Sequence, residues 1–367
     1  MLTDVETLVI KIGSAILVDA ETSRLREDWL EALALDLSAL QDKRIILVSS
    51  GAIALGRQRL GLFGKSLTLA QKQACAAAGQ SRLTRAYEDA LGARGIVTAQ
   101  ALLTLNDTEH RRRWLNARST LETLLDLKAI PIINENDTVA TDEIRYGDND
   151  RLAARTAQMI GADMLILLSD IDGLYTADPR KDAGAKHLPV ITSLTDEIKA
   201  MGGEPNAATG MGTGGMATKL AAADIATSAG SDMVICDGRE PGALAKLWSG
   251  GRHSLFKAKD NPRKARAQWI GGTLKPCGCV TIDKGALKAL RDGSSLLPAG
   301  VTSVSGTFEK GDAVSILSDG QEIARGLIAY DHPQADRIKG LKSGEISAVL
   351  GYENGAALIH RDNLVML

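Results

Sequence analysis

The sequence predicts an α/β protein: a three-layer αβα sandwich with a largely parallel central sheet, followed by a small β-rich C-terminal domain. Three observations carry the prediction. Up to about residue 257, short β-branched runs alternate with Ala/Leu-rich stretches of helical period. A basic, Pro-containing stretch at 257–266 (KAKDNPRKAR) then breaks the alternation. Beyond it glycine becomes denser, with 14 of the 37 glycines in residues 261–367, as a domain with many turns requires. The expected division is residues 1–257, a linker at 258–273, and residues 274–367.

In the first region, strands are expected at 7–12, 44–48, 95–99, 130–134, 164–169 and 232–236. Helices are expected at 26–41, 67–91, 111–127, 150–160 and 216–229, on both faces of the sheet. Ligands of such sheets sit beyond the carboxyl ends of the strands, so the residues just after each strand matter most. In the last region, strands are expected at 278–282, 301–305, 313–317, 322–328 and 357–360.

Composition removes several function classes. The 367 residues carry 43 Lys+Arg against 45 Asp+Glu, a net charge of −2, which argues against an indiscriminate polyanion binder. With only 12 aromatics, the chain is a poor candidate for stacking single-stranded bases. Its glycine excess suits a protein whose backbone must approach a ligand. The opening MLTDVETLVIKIG lacks the basic region of a signal peptide, and no apolar run reaches the roughly 18–20 residues that span a bilayer. Cys75, Cys236, Cys277 and Cys279 are too few and scattered for a disulfide framework. No second pair or histidine lies near Cys277 and Cys279, which argues against zinc. The expectation is a cytoplasmic protein with reduced cysteines.

The strand ends carry the chemistry. Lys11-Ile12-Gly13-Ser14 closes the first strand; a lysine there is costly unless its ammonium meets an anion, although a lysine snorkelling at a sheet edge reads the same way. Ser49-Ser50-Gly51 follows the second strand and opens a helix, either as an anion site or as an ordinary cap, and the cap is the simpler reading. Asn134-Glu135-Asn136-Asp137 ends another strand, and Gly147-Asp148-Asn149-Asp150 opens the next helix. Such residues are common in turns, but two clusters together can hold the ammonium and carboxylate of an amino acid. Ser169-Asp170 ends the fifth strand, where an acid can serve a nucleotide or cap a turn.

The strongest local signal is the glycine loop 210–215 running into Met216-Ala217-Thr218-Lys219. It contains G-x-G-x-x-G, but no strand precedes it, so the dinucleotide reading fails. What remains is a loop that presents N–H groups to phosphate at a helix N-terminus, with Lys219 about one turn in. Gly64-Lys65-Ser66 imitates the end of a P-loop, but Arg59 stands where that pattern needs glycine. The five histidines show no metal-ligand spacing.

Taken in order, VIKIGS, VSSGAIA, PIINENDTV, GDND, LLSDIDGLYTADPR and GTGGMATK resemble the amino-acid kinase family over roughly residues 5–257, most closely its glutamate-phosphorylating branch in proline biosynthesis. The tail resembles a PUA domain. Ser14-Ala15 stands where Thr-Ser is common, and Ser169 where Thr is common; both first positions keep a hydroxyl. The resemblance implies the amino-acid kinase fold and the reaction of ATP with L-glutamate to give L-glutamyl 5-phosphate. Mg²⁺ would come with ATP, held through the nucleotide phosphates rather than by protein ligands.

The same resemblance implies that Lys11 and Lys219 flank the phosphoryl group, with Asp150 holding them. Ser50, Gly51, Asn134, Asp137 and Asn149 would bind glutamate. Lys11, Ser169, Asp170 and the run Thr213, Gly214, Gly215, Met216, Ala217, Thr218 and Lys219 would contact ATP. L-proline as feedback inhibitor, a homodimer or homotetramer, and the reductase of the next pathway step as a partner are also implied. The rival substrates within the family are aspartate, N-acetylglutamate, carbamate and UMP. No membrane partner is expected. Residues 271–367 hold 10 Lys+Arg and 11 Asp+Glu, which argues against RNA binding by the tail as a primary function.

Overall fold

Alternation along the strands decides which helices cover which face of the sheet. The computed structural model describes residues 5–139, 149–203, 215–262, 264–265, 270, 274–352 and 355–367. The chain forms two units, Met1–Pro262 and Arg263–Leu367.

In chain order, the first unit contains β1 (Thr7–Ile12), α1 (Ser14–Leu17), α2 (Glu27–Ser38), β2 (Arg44–Ser49), α3 (Ala52–Arg59), α4 (Leu69–Gly92) and β3 (Thr98–Leu103). Next come α5 (Leu105–Glu109), α6 (Arg111–Asp126), β4 (Ile130–Glu135), α7 (Asn149–Ile160) and β5 (Met164–Ser169). The remainder comprises β6 (Leu174–Tyr175), β7 (His187–Leu188), β8 (Val190–Ile191), α8 (Asp196–Ala200), α9 (Met216–Ser228), β9 (Asp232–Asp237), α10 (Ala243–Trp248) and β10 (His253–Phe256). The main sheet runs β3-β4-β2-β1-β5-β9-β10-β8. Neighbouring strands are parallel except β9 and β10. A separate β6–β7 hairpin lies beyond β5.

Along β1, Leu8, Ile10 and Ile12 join the core packed under α2, α3, α4 and α10, while Val9 belongs to the core under α6, α7 and α9. Period-two alternation therefore puts Lys11 on the α7/α9 side. Helices cover both faces, so the central strands read as nearly unbroken apolar runs.

Helix α3 follows Gly51, whose φ of +108° is left-handed backbone that glycine tolerates. No side chain caps this helix, so the serine-cap reading of Ser49-Ser50 is corrected: both hydroxyls point elsewhere. Helices α3 and α4 cross through two glycines. A Cβ on Gly56 would lie 1.8 Å from the carbonyl oxygen of Cys75, and one on Gly79 would lie 1.8 Å from that of Ala52.

The expected strand at 95–99 starts later, at Thr98. Gly95 has a φ of +73°, and the Ile96 amide donates to the Leu91 carbonyl, so both residues complete the end of α4 instead. Strands β6, β7, β8 and β10 have only two to four residues, too short to show a period.

The second unit contains β11 (Gly278–Ile282), α11 (Lys284–Arg291), β12 (Val301–Gly306), β13 (Ala313–Ser318), β14 (Gln321–Leu327), α12 (His332–Ile338), α13 (Ile346–Leu350) and β15 (Leu364–Met366). Its sheet runs β12-β11-β13-β14-β15. The strand expected at 357–360 is not formed. Leu358 and Ile359 are buried in this unit's core, and Ile359 makes only an isolated bridge to Leu296; the last strand is β15.

The crossing geometry predicts that Gly79→Ala lowers the melting temperature by about 5–10 °C, because backbone must move. Gly92→Ala, in the same helix with open space around it, should be neutral or slightly stabilising. Thermal unfolding of the two variants tests the contrast.

Candidate active site

The carboxyl ends of β1, β2, β4 and β5 meet the N-termini of α7 and α9. Lys11 is the fifth residue of β1, in register with Val48 of β2 and Leu167 of β5. Asp150 is in the first turn of α7, where an acid complements the helix dipole. Lys219 is in the first turn of α9. Packing brings the three together: Lys11 Nζ lies 2.6 Å from one Asp150 oxygen and Lys219 Nζ 3.0 Å from the other. Thr218 Oγ1 adds a hydrogen bond of 3.1 Å to that second oxygen.

All three charged residues are buried, with Asp150 only 1% exposed. Burial alone would raise the Asp150 pKa, yet Lys11 and Lys219 outweigh it and hold the carboxyl well below the usual carboxylate range. Two ammonium groups thus share the one carboxylate.

Asn149, the neighbour of Asp150 in α7, organises a second, uncharged cluster. Its Nδ2 donates to Ser50 Oγ at 2.7 Å, the Ser49 carbonyl at 3.0 Å and Asn134 Oδ1 at 3.0 Å. Asn134 Oδ1 also accepts from the Glu135 amide, and its Nδ2 donates to Gln80 Oε1 at 2.8 Å. Asn149 Oδ1 is buried without a hydrogen-bond partner among the described residues. Asp137, two residues beyond β4, is 8% exposed and has no hydrogen-bonding or ionic partner among the described residues. Burial pushes its carboxyl up to about 6.

Ser169 is buried at the end of β5; its hydroxyl donates to the exposed carboxylate of Asp170, and its carbonyl accepts from the Gly238 amide. Gly215 is the N-cap residue of α9, and no side chain caps that helix among the described residues. The expected residues Thr213 and Gly214, with 210–212, Gly147 and Asp148, lie outside the described residues. The structure thus brings Lys11, Asp150, Thr218 and Lys219 into one cluster and Ser50, Asn134 and Asn149 into another, with Gly51 adjoining Ser50. Among the described residues, no group of three or more His, Cys, Asp or Glu could hold a metal ion, and no helix is long and apolar enough to cross a membrane.

Sequence reasoning missed four residues that brace the strand ends and the segments that follow them. Tyr87 Oη lies 2.9 Å from Ser49 Oγ, and burial pushes the phenol pKa up. Gln80 holds Asn134. Trp29 Nε1 donates to the Gly238 carbonyl at 2.7 Å, and Arg26 donates to the carbonyls of Ile16 and Arg239. Only Tyr87 carried a signal, since a buried tyrosine in an aromatic-poor chain needs a partner for its hydroxyl.

A largely parallel sheet carrying a lysine–aspartate–lysine cluster at the start of a helix whose N-cap is glycine suits phosphoryl transfer. The chain belongs to the amino acid kinase family, which matches residues 6–237. A PUA domain matches residues 278–350. The chain is 57% identical to the glutamate 5-kinase of Brucella ovis, covering 100% of this chain and 97% of that protein. The same figures hold for the glutamate 5-kinase of Brucella abortus (strain S19). Among solved structures, UMP kinase from Ureaplasma parvum aligns with a TM-score of 0.48 and 14% identity, covering 70% of this chain and 100% of that one.

The cluster predicts how stability follows pH. With its pKa depressed in the fold, Asp150 contributes stability fully above the unfolded value of about 3.9, lost as pH falls through the folded value. Asp150→Asn removes the carboxylate that faces both buried lysines and should cost about 3 kcal/mol at pH 7. That deficit should hold from pH 8 to 5 and shrink below about pH 4, as denaturant titrations can show.

Proposed function

We infer that this chain transfers the γ-phosphoryl group of ATP to the γ-carboxylate of L-glutamate, giving L-glutamyl 5-phosphate and ADP, the first step of proline biosynthesis. One observation carries the reading. The cluster of Lys11, Asp150 and Lys219, two ammonium groups on one carboxylate, adjoins, through consecutive residues of α7, a cluster in which Asn149 Oδ1 has no hydrogen-bond partner among the described residues. The first suits a phosphoryl group and the second an amino acid.

The γ-carboxylate is already ionised at neutral pH, so no base is required. The carboxylate oxygen forms a bond to the γ-phosphorus while the bond from that phosphorus to the β–γ bridging oxygen breaks, and ADP carries away the electron pair. The barrier is the meeting of two anions, which positioning and charge neutralisation lower. Lys11 and Lys219 neutralise the transferring group, and Asp150 holds both ammonium groups in place. Its depressed pKa and two lysine partners suit that role, not that of a base.

Asp137 and Asn149 Oδ1 accept the α-ammonium, while Ser50, Gly51 and Asn134 line the glutamate site. Ser169 and Asp170, the run Thr213–Lys219 and the N-terminus of α9 contact ATP. Mg²⁺ enters with the nucleotide phosphates, since Asp150 is committed to lysines. The same reading includes a cytoplasmic, homo-oligomeric enzyme, dimer or tetramer, inhibited by L-proline, with the reductase of the next step as a partner. It divides the chain into a catalytic domain at 1–257, a linker at 258–273 and a PUA-like domain at 274–367.

The test is ADP release with MgATP and a panel of L-glutamate, aspartate, N-acetylglutamate, carbamate and UMP, with and without L-proline. Preference for a substrate other than glutamate overturns the assignment. Lys219→Ala should reduce kcat at least about 100-fold while the fold persists; near-normal turnover would remove Lys219 from the mechanism.

Asp137 supplies a separate prediction. Its raised pKa means the folded ligand-free protein holds an extra proton between about pH 4 and 6, so stability falls as pH rises through that window. Asp137→Asn should therefore stabilise the ligand-free protein at pH 7 by about 2 kcal/mol, while raising the KM for glutamate and sparing that for ATP. In the native enzyme, the KM for glutamate should rise as pH drops below about 6. A change confined to the KM for ATP contradicts the role.

A further inference from the structure

Helix α4 lends the amide cluster a side chain from outside the strand ends. Gln80 Oε1 accepts from Asn134 Nδ2 at 2.8 Å, and Gln80 Nε2 donates to Thr84 Oγ1 at 3.3 Å. Thr84 Oγ1 in turn donates to the Gln80 carbonyl at 3.0 Å. The chain of amides runs Gln80–Asn134–Asn149, and backbone groups fix its direction. The Ser49 carbonyl can only accept, so Asn149 must turn Nδ2 toward it. The Glu135 amide can only donate, so Asn134 must turn Oδ1 toward it. Asn134 Nδ2 then needs an acceptor, and Gln80 Oε1 supplies it. With every amide so oriented, Asn149 is left with a buried acceptor oxygen that no described residue satisfies.

We propose that Gln80 is a positioning residue for substrate recognition: by anchoring Asn134, it locks Asn149 with Oδ1 presented to the α-ammonium of the amino-acid substrate. Gln80 touches neither reacting group. Its position depends on the glycine crossing, because Gly79, the preceding residue, brings α4 against α3. Tyr87, two turns along α4, fastens Ser49 in the same way.

This inference rests on the glutamate reading, and the experiment separates the two. Steady-state kinetics with MgATP are measured for the native enzyme, Gln80→Leu and Gln80→Glu, together with competitive inhibition by glutarate, the same dicarboxylate without the ammonium. Gln80→Leu removes the acceptor. The KM for L-glutamate should rise about 10-fold, the equivalent of one hydrogen bond, with kcat and the KM for ATP within twofold. Inhibition by glutarate should be unchanged. Gln80→Glu keeps an acceptor facing Asn134 and should recover most of the glutamate affinity.

A native-like KM in Gln80→Leu overturns the proposal, as does equal weakening of glutamate and glutarate. Loss of kcat in both variants also overturns it, since that marks a merely structural role. If Gln80→Leu does not fold, Gln80→Met is measured against the same outcomes. Native enzyme that does not phosphorylate glutamate overturns the underlying reading instead.

Discussion

Asp150 is buried between two lysines, and much of the first unit is arranged around keeping it charged there. A carboxylate at 1% exposure is strongly disfavoured unless opposite charge is close. Lys11 at 2.6 Å and Lys219 at 3.0 Å supply that charge, and the first turn of α7 adds its dipole. Each partner comes from a different element, so β1, α7 and α9 must all be seated before the cluster closes. In return, Asp150 fixes two long, flexible ammonium side chains that would otherwise sample many rotamers. On the proposed reading, positioning of this kind serves a reaction between two anions, because the neutralising charges would be in place before the reactants meet.

Helix α7 divides its labour between consecutive residues. Asp150 faces the lysines, and Asn149 faces the ends of β2 and β4. Adjacent residues at a helix start are about 100° apart, so one helix terminus serves two clusters, one charged and one uncharged. Both sites are then held at a spacing set by the backbone rather than by flexible loops.

The order of strands and helices in the first unit was legible because parallel strands buried on both faces read as continuous apolar runs. Lys11, Asn134, Asn149, Asp150 and Lys219 were legible as polar residues stranded at element ends. What the sequence concealed depended on three-dimensional packing. Gln80 looks like any polar residue on a mostly helical stretch, and only the close α3–α4 crossing carries it to Asn134. The late start of β3 came from a glycine that completes a helix. Ile359 in the tail reads as strand because it is buried, yet a buried apolar residue need not be paired. Short strands such as β8 and the short helices of the second unit carry too few residues for periodicity to register.

The two buried carboxylates of this site make opposite use of the same physics. Asp150 is desolvated and compensated within the fold, so its pKa falls. Asp137 is desolvated with no compensating charge among the described residues, so its pKa rises to about 6. The first lowers the free energy of the folded state at neutral pH, and the second raises it. A ligand ammonium placed against Asp137 would convert that unfavourable term into binding energy, because the desolvation has already occurred when the substrate arrives. On the proposed reading, Asn149 Oδ1, which also has no hydrogen-bond partner among the described residues, would add to the same selectivity. A dicarboxylate without an amine would leave both acceptors stranded, and buried unmet acceptors discriminate far more sharply than a change in apolar contact. On this reading, the cost of desolvating Asp137 and the preference for an amino acid would have one origin.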